Sequence, residues 1–126
     1  MKVLLDTHAF LWAILADKRL SKPATKYFET SELLLSPASL WEIVNKIQIG
    51  KLPFPAEPPK FLQRQIAINQ ITILPINASH SLTLYQLPLL HKDPFDRILA
   101  AQCLEEKVPL LSCDEVFDQY GVQRLW

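Results

Sequence analysis

The sequence predicts an α/β protein, a three-layer α/β/α sandwich with a parallel sheet of about four or five strands. Short uninterrupted apolar runs alternate along the chain with segments whose apolar residues recur at helical spacing. A run without polar alternation is typical of a parallel strand that helices cover on both faces, and right-handed crossovers place helices there. The 126 residues, 49% of them hydrophobic, suffice for one core. We therefore expect a single domain over residues 1–126.

The amino terminus predicts a central strand and the first helix. Residues 3–5 form an apolar run that stops at Asp6, and a helix is expected from about Thr7 to Ala16. Asp6 therefore stands at the carboxyl end of a strand, the edge at which open α/β sheets bind ligands. Aspartate is also a preferred helix N-cap, and for Asp6 taken alone the cap is the more common explanation.

The next elements are a helix over 22–30, a strand over 33–35 and a third helix that begins at Ser36-Pro37 and ends at Gly50. The apolar stripe of this third helix comprises Leu40, Ile43, Val44 and Ile47. Glu42 falls outside the stripe, so we expect it on the polar side. There its simplest role is a surface ion pair with Lys46, one turn further on.

The second half of the chain continues the alternation. Residues 51–59 hold four of the ten prolines and are expected to form a loop. Asp93 is a candidate N-cap of the longest helix, with Pro94 at its first position. The remaining predicted elements are a helix over 59–69, a strand over 71–74, a short helix over 78–85, a strand over 109–112, a short helix over 115–120 and a strand over 122–125.

Four acids are expected at one edge of this sheet. Asp6 and Asp114 each follow the carboxyl end of a strand, and Glu42 and Asp96 lie in the first turns of helices that begin at the same edge. Each acid alone could be a cap or a surface residue, and Asp96 could also bond back to the cap of its helix. Caps alone, however, do not predict that four acids gather in one place.

Clustered carboxylates predict a metal site. Carboxylates within about 4–6 Å repel one another unless a cation neutralises them. An all-oxygen set without cysteine suits the hard ions Mg²⁺ and Mn²⁺. Two such ions about 3.5–4 Å apart can activate water and stabilise the leaving oxygen in phosphodiester hydrolysis.

The amino-acid composition restricts the kinds of binding partner and the cellular compartment that we expect. Thirteen basic residues balance thirteen acidic ones, so a nucleic acid would need a local basic patch. Asp6 and His8 interrupt the apolar amino terminus, which argues against a signal peptide or a membrane span and predicts a cytoplasmic protein. Cys103 and Cys113 lack metal-ligand spacing and are expected to be buried free thiols.

Four motifs together resemble a known family. They are Leu4-Leu5-Asp6-Thr7-His8, Trp41-Glu42, His91-Lys92-Asp93-Pro94-Phe95-Asp96-Arg97 and Asp114-Glu115-Val116-Phe117. In type and order they resemble the PIN-domain nucleases, specifically the VapC-type toxins of bacterial toxin–antitoxin pairs. The likeness extends over nearly the whole chain, and the Asp-Pro-Phe-Asp-Arg stretch is its most specific part.

The resemblance implies an endoribonuclease that depends on Mg²⁺ or Mn²⁺. The four acids match the four acidic positions of the family, as catalytic residues and metal ligands. Thr7 matches the small hydroxyl residue that usually follows the first acid, where it would orient that acid or a bound water. Asp93 matches a further acid, which we interpret as a helix cap. His8 and His91 are expected to be hydrogen-bonded structural residues and are left out of the metal set.

The resemblance also implies partners: an RNA substrate, a second copy in a homodimer, and a small antitoxin whose C-terminal segment lies in a groove between the N-terminal helices. Four cations flank the proposed site and could contact RNA phosphates, namely Lys46, Lys51, Lys92 and Arg97. Six aromatic residues mark the groove, about half of them expected in the core, namely Phe10, Trp12, Tyr27, Phe28, Trp41 and Phe54. A basic antitoxin side chain would pair with the acids.

Two alternatives stay open. A receiver domain or a haloacid-dehalogenase-type phosphotransferase also gathers aspartates at the end of a parallel sheet. The phosphotransferase needs a second aspartate where this chain has His8, and the receiver needs a phospho-acceptor where it has Ile73-Leu74-Pro75. A non-catalytic interaction module is the other alternative. Metal-dependent cleavage would separate the three classes.

Overall fold

The computed structural model describes residues 1–54, 57–90 and 92–126. In these ranges the chain forms five strands, all parallel, in one sheet of order β3-β2-β1-β4-β5. The strands are β1 (Lys2–Leu5), β2 (Glu32–Leu35), β3 (Thr72–Ile73), β4 (Leu110–Leu111) and β5 (Arg124–Leu125). The predicted α/β fold with a parallel five-stranded sheet and a central first strand is confirmed.

Helices alternate with the strands. They are α1 (Thr7–Ile14), α2 (Lys22–Thr30), α3 (Pro37–Gln48), α4 (Pro58–Ile68), α5 (Ala78–Thr83) and α6 (Pro94–Glu106), with 3₁₀ helices at Leu84–Gln86 and Glu115–Tyr120. Three of the α-helices begin at a proline or have one in the first turn after a serine or aspartate cap, as the sequence predicted. In the described ranges, no helix combines the length and the apolar character needed to cross a membrane.

Side chains of β1 reach two hydrophobic clusters, one on each face of the sheet. Leu4 belongs to the cluster that includes Leu99 of α6 and Phe117. Val3 and Leu5 belong to the other, with residues of α1 and α3. Because both faces are covered, β1 has no polar alternation, which explains the continuous apolar run in the sequence.

Several predicted bounds are corrected. The first helix ends at Ile14 rather than Ala16, because Ala16 has a positive φ of 53° that helical backbone does not allow. The predicted strands over 71–74, 109–112 and 122–125 each keep only two paired residues, and the short helix over 115–120 is a 3₁₀ helix. Helix α4 begins at Pro58, so the predicted loop is shorter than expected at its end. Residues 55 and 56 of this loop lie outside the described ranges.

The predicted inner face of α3 is confirmed for Ile43, which is buried, and for Leu40 and Ile47, which pack against the core, but it is wrong at two positions. Val44, which the sequence pattern assigned to the apolar stripe, is exposed, whereas Glu42 is buried. The buried residues of this helix are Ala38, Ser39, Glu42 and Ile43. The helix is therefore turned so that a carboxylate and a hydroxyl face inward. This orientation brings Glu42 toward the carboxyl end of β1.

Candidate active site

Asp6 lies at the carboxyl end of the central strand and is almost fully buried, at 3% exposure. Its backbone N–H donates to the Leu111 carbonyl at 3.0 Å, which ties it to β4. The Ser112 hydroxyl donates to Asp6 Oδ2 at 2.6 Å. The Asp6 side chain makes no capping hydrogen bond to α1, so the cap interpretation is wrong. The carboxylate instead faces the end of the sheet.

Burial raises the pKa of Asp6, and the nearby charge of Glu42 adds to this rise. The Ser112 hydrogen bond and the charge of His8 act in the opposite direction and do not outweigh burial. Asp6 and Glu42 are therefore close enough for each to act on the other's charge. Two buried acids in this relation fit a site that a cation completes.

A prediction about pH follows from the raised pKa of Asp6. Above its ordinary value of 3.8, the folded protein holds this proton more tightly than the unfolded chain does, so the Asp6 contribution to stability falls as pH rises. Asp6→Asn, which never ionises, should therefore gain in unfolding free energy relative to the wild type between pH 4 and pH 8. Urea unfolding of both proteins in EDTA measures this difference. A difference that stays constant or shrinks with pH would contradict it.

Glu42 is buried, at 4% exposure, which corrects its predicted place on the helix surface. The predicted ion pair with Lys46 does form, with Lys46 Nζ donating to Glu42 Oε2 at 2.8 Å. The other oxygen, Oε1, is buried and accepts no hydrogen bond from the described part of the protein. Such an orphaned acceptor is costly, and in native proteins it calls for a specific partner. A metal ion is one such partner.

Asp114 is connected to Asp6 through Ser112. Its backbone N–H donates to Ser112 Oγ at 3.0 Å, while the same hydroxyl donates to Asp6. The exposed Asp114 side chain accepts from the Val116 N–H at 3.1 Å and so caps the 3₁₀ helix. Sequence reasoning missed Ser112. A small hydroxyl residue at the end of β4, two positions before an acid, was the available signal.

The first turn of α6 contributes the remaining acid. Asp93 is the N-cap, and its Oδ1 accepts from the Phe95 N–H at 2.9 Å, so the cap interpretation is confirmed. Asp96 follows in the first turn and is half-buried. The charges of both aspartates, after the larger effect of Glu42, raise the pKa of Lys46. Lys46 therefore lies near acids of both α3 and α6.

Thr7 and the two histidines have different positions. Thr7 is buried and donates to Ser39 Oγ at 2.9 Å, so its hydroxyl joins α1 to α3 rather than contacting a carboxylate. His8 is exposed, with its ring centroid 5.6 Å from that of Trp12. His91 lies outside the described residues, and its predicted role stays a prediction. Cys113 is exposed, in contrast to the expectation, while Cys103 is buried.

The donor chemistry of this edge suits a hard cation, because it consists of carboxylates with hydroxyl groups beside them. Asp6 and Asp114 are joined by Ser112, and Asp6 and Glu42 act on each other's charge. Among the described side chains, however, no three Asp, Glu, His or Cys residues already form a group able to hold an ion. The orphaned Glu42 oxygen marks the place where a further positive partner fits. The ligand roles of the acids stay a prediction.

A cavity of about 270 Å³ adjoins the site between α1 and α3. Its lining includes Thr7, Trp12, Lys46 and Lys51. The Arg19 guanidinium lies 4.9 Å from the centre of the Trp12 ring and pairs with Asp17 at 2.8 Å. The cavity thus combines an aromatic wall with positive side chains next to the acidic edge.

The sequence profile of the PIN domain matches residues 3–123. The chain belongs to the PIN domain family. This membership agrees with the five-stranded parallel sheet and with the acids at its carboxyl edge. No curated protein matches the sequence significantly.

Solved structures share the PIN fold at low sequence identity. VapBC2 from Rickettsia felis, bound to a promoter DNA fragment, is 14% identical with full coverage of both chains and a TM-score of 0.70. FitAcB from Neisseria gonorrhoeae is 14% identical over 97% of this chain and 95% of that chain, with a TM-score of 0.71. A toxin-antitoxin complex from Klebsiella pneumoniae is 15% identical over 90% and 87%, with a TM-score of 0.60. These similarities establish the fold.

Proposed function

We propose that this PIN domain is a metal-dependent endoribonuclease and acts as the toxin of a toxin–antitoxin pair. PIN domains are generally nucleases that use divalent metal ions. The observation that carries the proposal is the Glu42 carboxylate, which is buried near Asp6 with one oxygen that no described residue hydrogen-bonds. A protein that needed these acids only for folding would satisfy that oxygen internally.

In this proposal Asp6, Glu42, Asp96 and Asp114 hold Mg²⁺ or Mn²⁺. The bound ion would supply an activated water and stabilise the charge on the leaving oxygen. The chain's own residues orient the acids. Ser112 fixes the direction of Asp6 through its 2.6 Å hydrogen bond, and Asp93 supports Asp96 by capping the first turn of α6. Burial of Asp6 and Glu42 keeps bulk water from screening their charge.

The proposal is tested with purified protein and a 5′-labelled single-stranded RNA. We expect cleavage with Mg²⁺ or Mn²⁺ that leaves 5′-phosphate and 3′-hydroxyl ends, and no cleavage in EDTA. Undiminished cleavage in EDTA, or an RNA left intact with either ion, would contradict it. Sequencing the cleaved ends from cells that express the protein would identify the RNA.

The cavity beside the site offers a path for the RNA backbone. Lys51 is exposed and has no ion-pair partner among the residues that the structure describes. Arg97 donates to the carbonyls of Pro88 and Leu84, so its guanidinium is already engaged. We therefore propose Lys51 rather than Arg97 as a phosphate contact.

Lys51→Gln should weaken RNA binding and lower its salt dependence. Loss of one phosphate contact reduces the slope of log K against log salt by about 0.7 for a single strand. Binding is measured in EDTA, which prevents cleavage, at several salt concentrations. Lys60→Gln is the matched control, because Lys60 is an exposed lysine of α4 that pairs with Glu57 at 3.6 Å. Equal slopes for the two variants would exclude Lys51 from the RNA path.

The proposed protein partner is a small antitoxin, and the proposed assembly contains a homodimer of this chain. Similar structures are described as VapBC2, FitAcB and toxin-antitoxin complexes. Of the aromatic residues on the N-terminal helices, Phe10 is buried, Trp12, Tyr27 and Phe28 are half-buried, and Trp41 is 68% exposed. The partly exposed rings are suited to hold a partner segment.

Expression of this chain alone should stop growth, and co-expression of the neighbouring small reading frame should restore it. The reason is that an unrestrained ribonuclease destroys cellular RNA, whereas a bound antitoxin covers the acids. Growth and co-purification are measured together, with the Asp96→Asn variant as a control that should be harmless but still bind. A chain that is harmless alone and purifies without a partner would count against the toxin assignment.

A further inference from the structure

Lys46 occupies an unusual position for a lysine. It lies on α3 one turn after Glu42, and its ammonium group donates to the buried Glu42 carboxylate at 2.8 Å. The charges of Asp93 and Asp96 on α6 also act on it. The lysine itself is partly exposed and lines the cavity beside the site. The positive charge of Lys46 therefore lies between the buried Glu42 carboxylate and the cavity between α1 and α3.

This position is the one that an added cation would compete for. A buried carboxylate without a counter-charge is strongly unfavourable, so Glu42 needs a positive partner when no metal is bound. Lys46 supplies it at Oε2, and the orphaned Oε1 shows that one ammonium group does not satisfy the carboxylate fully. A divalent ion held by Oε1 would share one carboxylate with the Lys46 ammonium group, which is bound at Oε2. The positive charges of the metal ion and of the Lys46 ammonium group would therefore repel each other at the Glu42 carboxylate.

We propose that Lys46 is the resident counter-ion of the acidic site, which holds Glu42 in the metal-free protein and is displaced into the adjoining cavity when a metal ion binds. The inference rests on the proposed function, because the metal site is the same. It assigns Lys46 as a positioning residue, which acts through Glu42 and holds this carboxylate in place by the 2.8 Å contact until a metal ion binds. The cavity that Lys46 shares with Lys51 gives the displaced side chain a solvated place.

Competition of this kind is reciprocal, so removal of the lysine charge must strengthen metal binding. Calorimetric titration of the whole chain with Mn²⁺ should show Lys46→Gln binding about 5- to 150-fold more tightly than the wild type, the usual range for a coupling between two ligands. Lys60→Gln removes the charge of an exposed lysine that pairs with Glu57 and does not contact Glu42, so its affinity should change by less than about twofold. Lys46→Arg keeps the charge and should bind no more tightly than the wild type.

A second measurement uses the wild-type protein and does not depend on how the variants fold. Each lysine amine is acylated to an extent that depends on whether it is accessible or held in an ion pair, and mass spectrometry measures that extent. Saturating Mg²⁺ should raise the reactivity of Lys46 several-fold relative to Lys51, because Lys46 leaves its 2.8 Å contact with Glu42.

The outcomes separate the inference from the function beneath it. Tighter Mn²⁺ binding by Lys46→Gln, with a metal-dependent rise in Lys46 labelling, supports both. Equal or weaker binding by Lys46→Gln, or labelling of Lys46 that metal leaves unchanged, overturns the inference while the metal site stands. Failure of every protein, including the wild type, to bind Mn²⁺ overturns the inference and the proposed function together.

Discussion

Replacing Asp6 by asparagine should lower the rate of RNA cleavage by about 10³-fold or more if the proposed function holds, because it removes a negative charge from the proposed metal ligands. The fold should persist. Asparagine has the same shape, its amide oxygen can accept the hydrogen bond from Ser112, and a buried ionisable group is removed. Cleavage rates in Mg²⁺ and circular dichroism spectra of both proteins are the measurements. Asp96→Asn should behave in the same way.

Asp118→Asn is the matched control. Asp118 is an exposed aspartate that pairs with Arg124 at 3.0 Å and has no proposed place among the metal ligands. Its loss should leave the cleavage rate within about twofold of the wild type, as expected for a surface ion pair. Cleavage by Asp6→Asn at the wild-type rate would remove Asp6 from the site. An equal loss in Asp118→Asn would show that the effect is not specific to the buried acids.

Phe117→Ala should destabilise the fold by about 3–5 kcal/mol, the usual cost of deleting a fully buried phenyl ring. Phe117 has no exposed surface and packs in the cluster that joins the sheet to α6. This loss is a large share of the total stability of about 5–15 kcal/mol that small domains have. Denaturant unfolding in EDTA measures it.

Tyr85→Ala is the comparison for that experiment. Tyr85 is 96% exposed, and surface substitutions usually change stability by less than about 0.5 kcal/mol. A cost for Phe117→Ala as small as that of Tyr85→Ala would contradict the described core. A large cost for both would indicate that Tyr85 is covered in solution.

The central part of the fold could be predicted because several signals agree there. The apolar run before Asp6 indicates a strand covered on both faces, and the two clusters reached by Leu4 and by Val3 and Leu5 account for it. The start of α6 was equally clear. The Asp93 side chain accepts a hydrogen bond from a backbone N–H of the first turn, and Pro94 suits the first helical position because it has no N–H to satisfy. Where local preference and tertiary packing agree, the sequence is sufficient.

The burial of Glu42 on α3 could not be predicted, because the apolar periodicity of a helix does not reveal an acid on its inner face, although it did identify Leu40, Ile43 and Ile47 correctly. The apolar pattern favoured Val44 as a core residue and placed Glu42 outside. The structure has the opposite arrangement, with Glu42 buried against the counter-charge of Lys46. Hydrophobic patterns assume that burial is apolar, and they fail where a site requires a buried charge.

The choice between a helix cap and a site residue at Asp6 could not be made from the neighbouring residues either. Capping preference depends only on neighbouring residues, whereas the competing hydrogen bond comes from Ser112, 106 positions away in the chain. The acid at Asp114, in contrast, does cap its short helix through the Val116 N–H and still lies beside Ser112. The capping preference of aspartate therefore describes Asp114 correctly and Asp6 incorrectly. The pairing of β1 with β4, which brings Ser112 to Asp6, cannot be deduced from residues that neighbour Asp6 in the chain.

The most direct test of the metal centre is anomalous diffraction from crystals of the protein soaked in Mn²⁺. We predict an anomalous peak at the carboxyl end of β1, within coordination distance of Asp6 and of the Glu42 oxygen that has no partner in the described structure. The Asp6→Asn protein, soaked in the same way, should show the peak weakened or lost. A wild-type map with no peak at this edge, or with Mn²⁺ bound only elsewhere, would contradict the account.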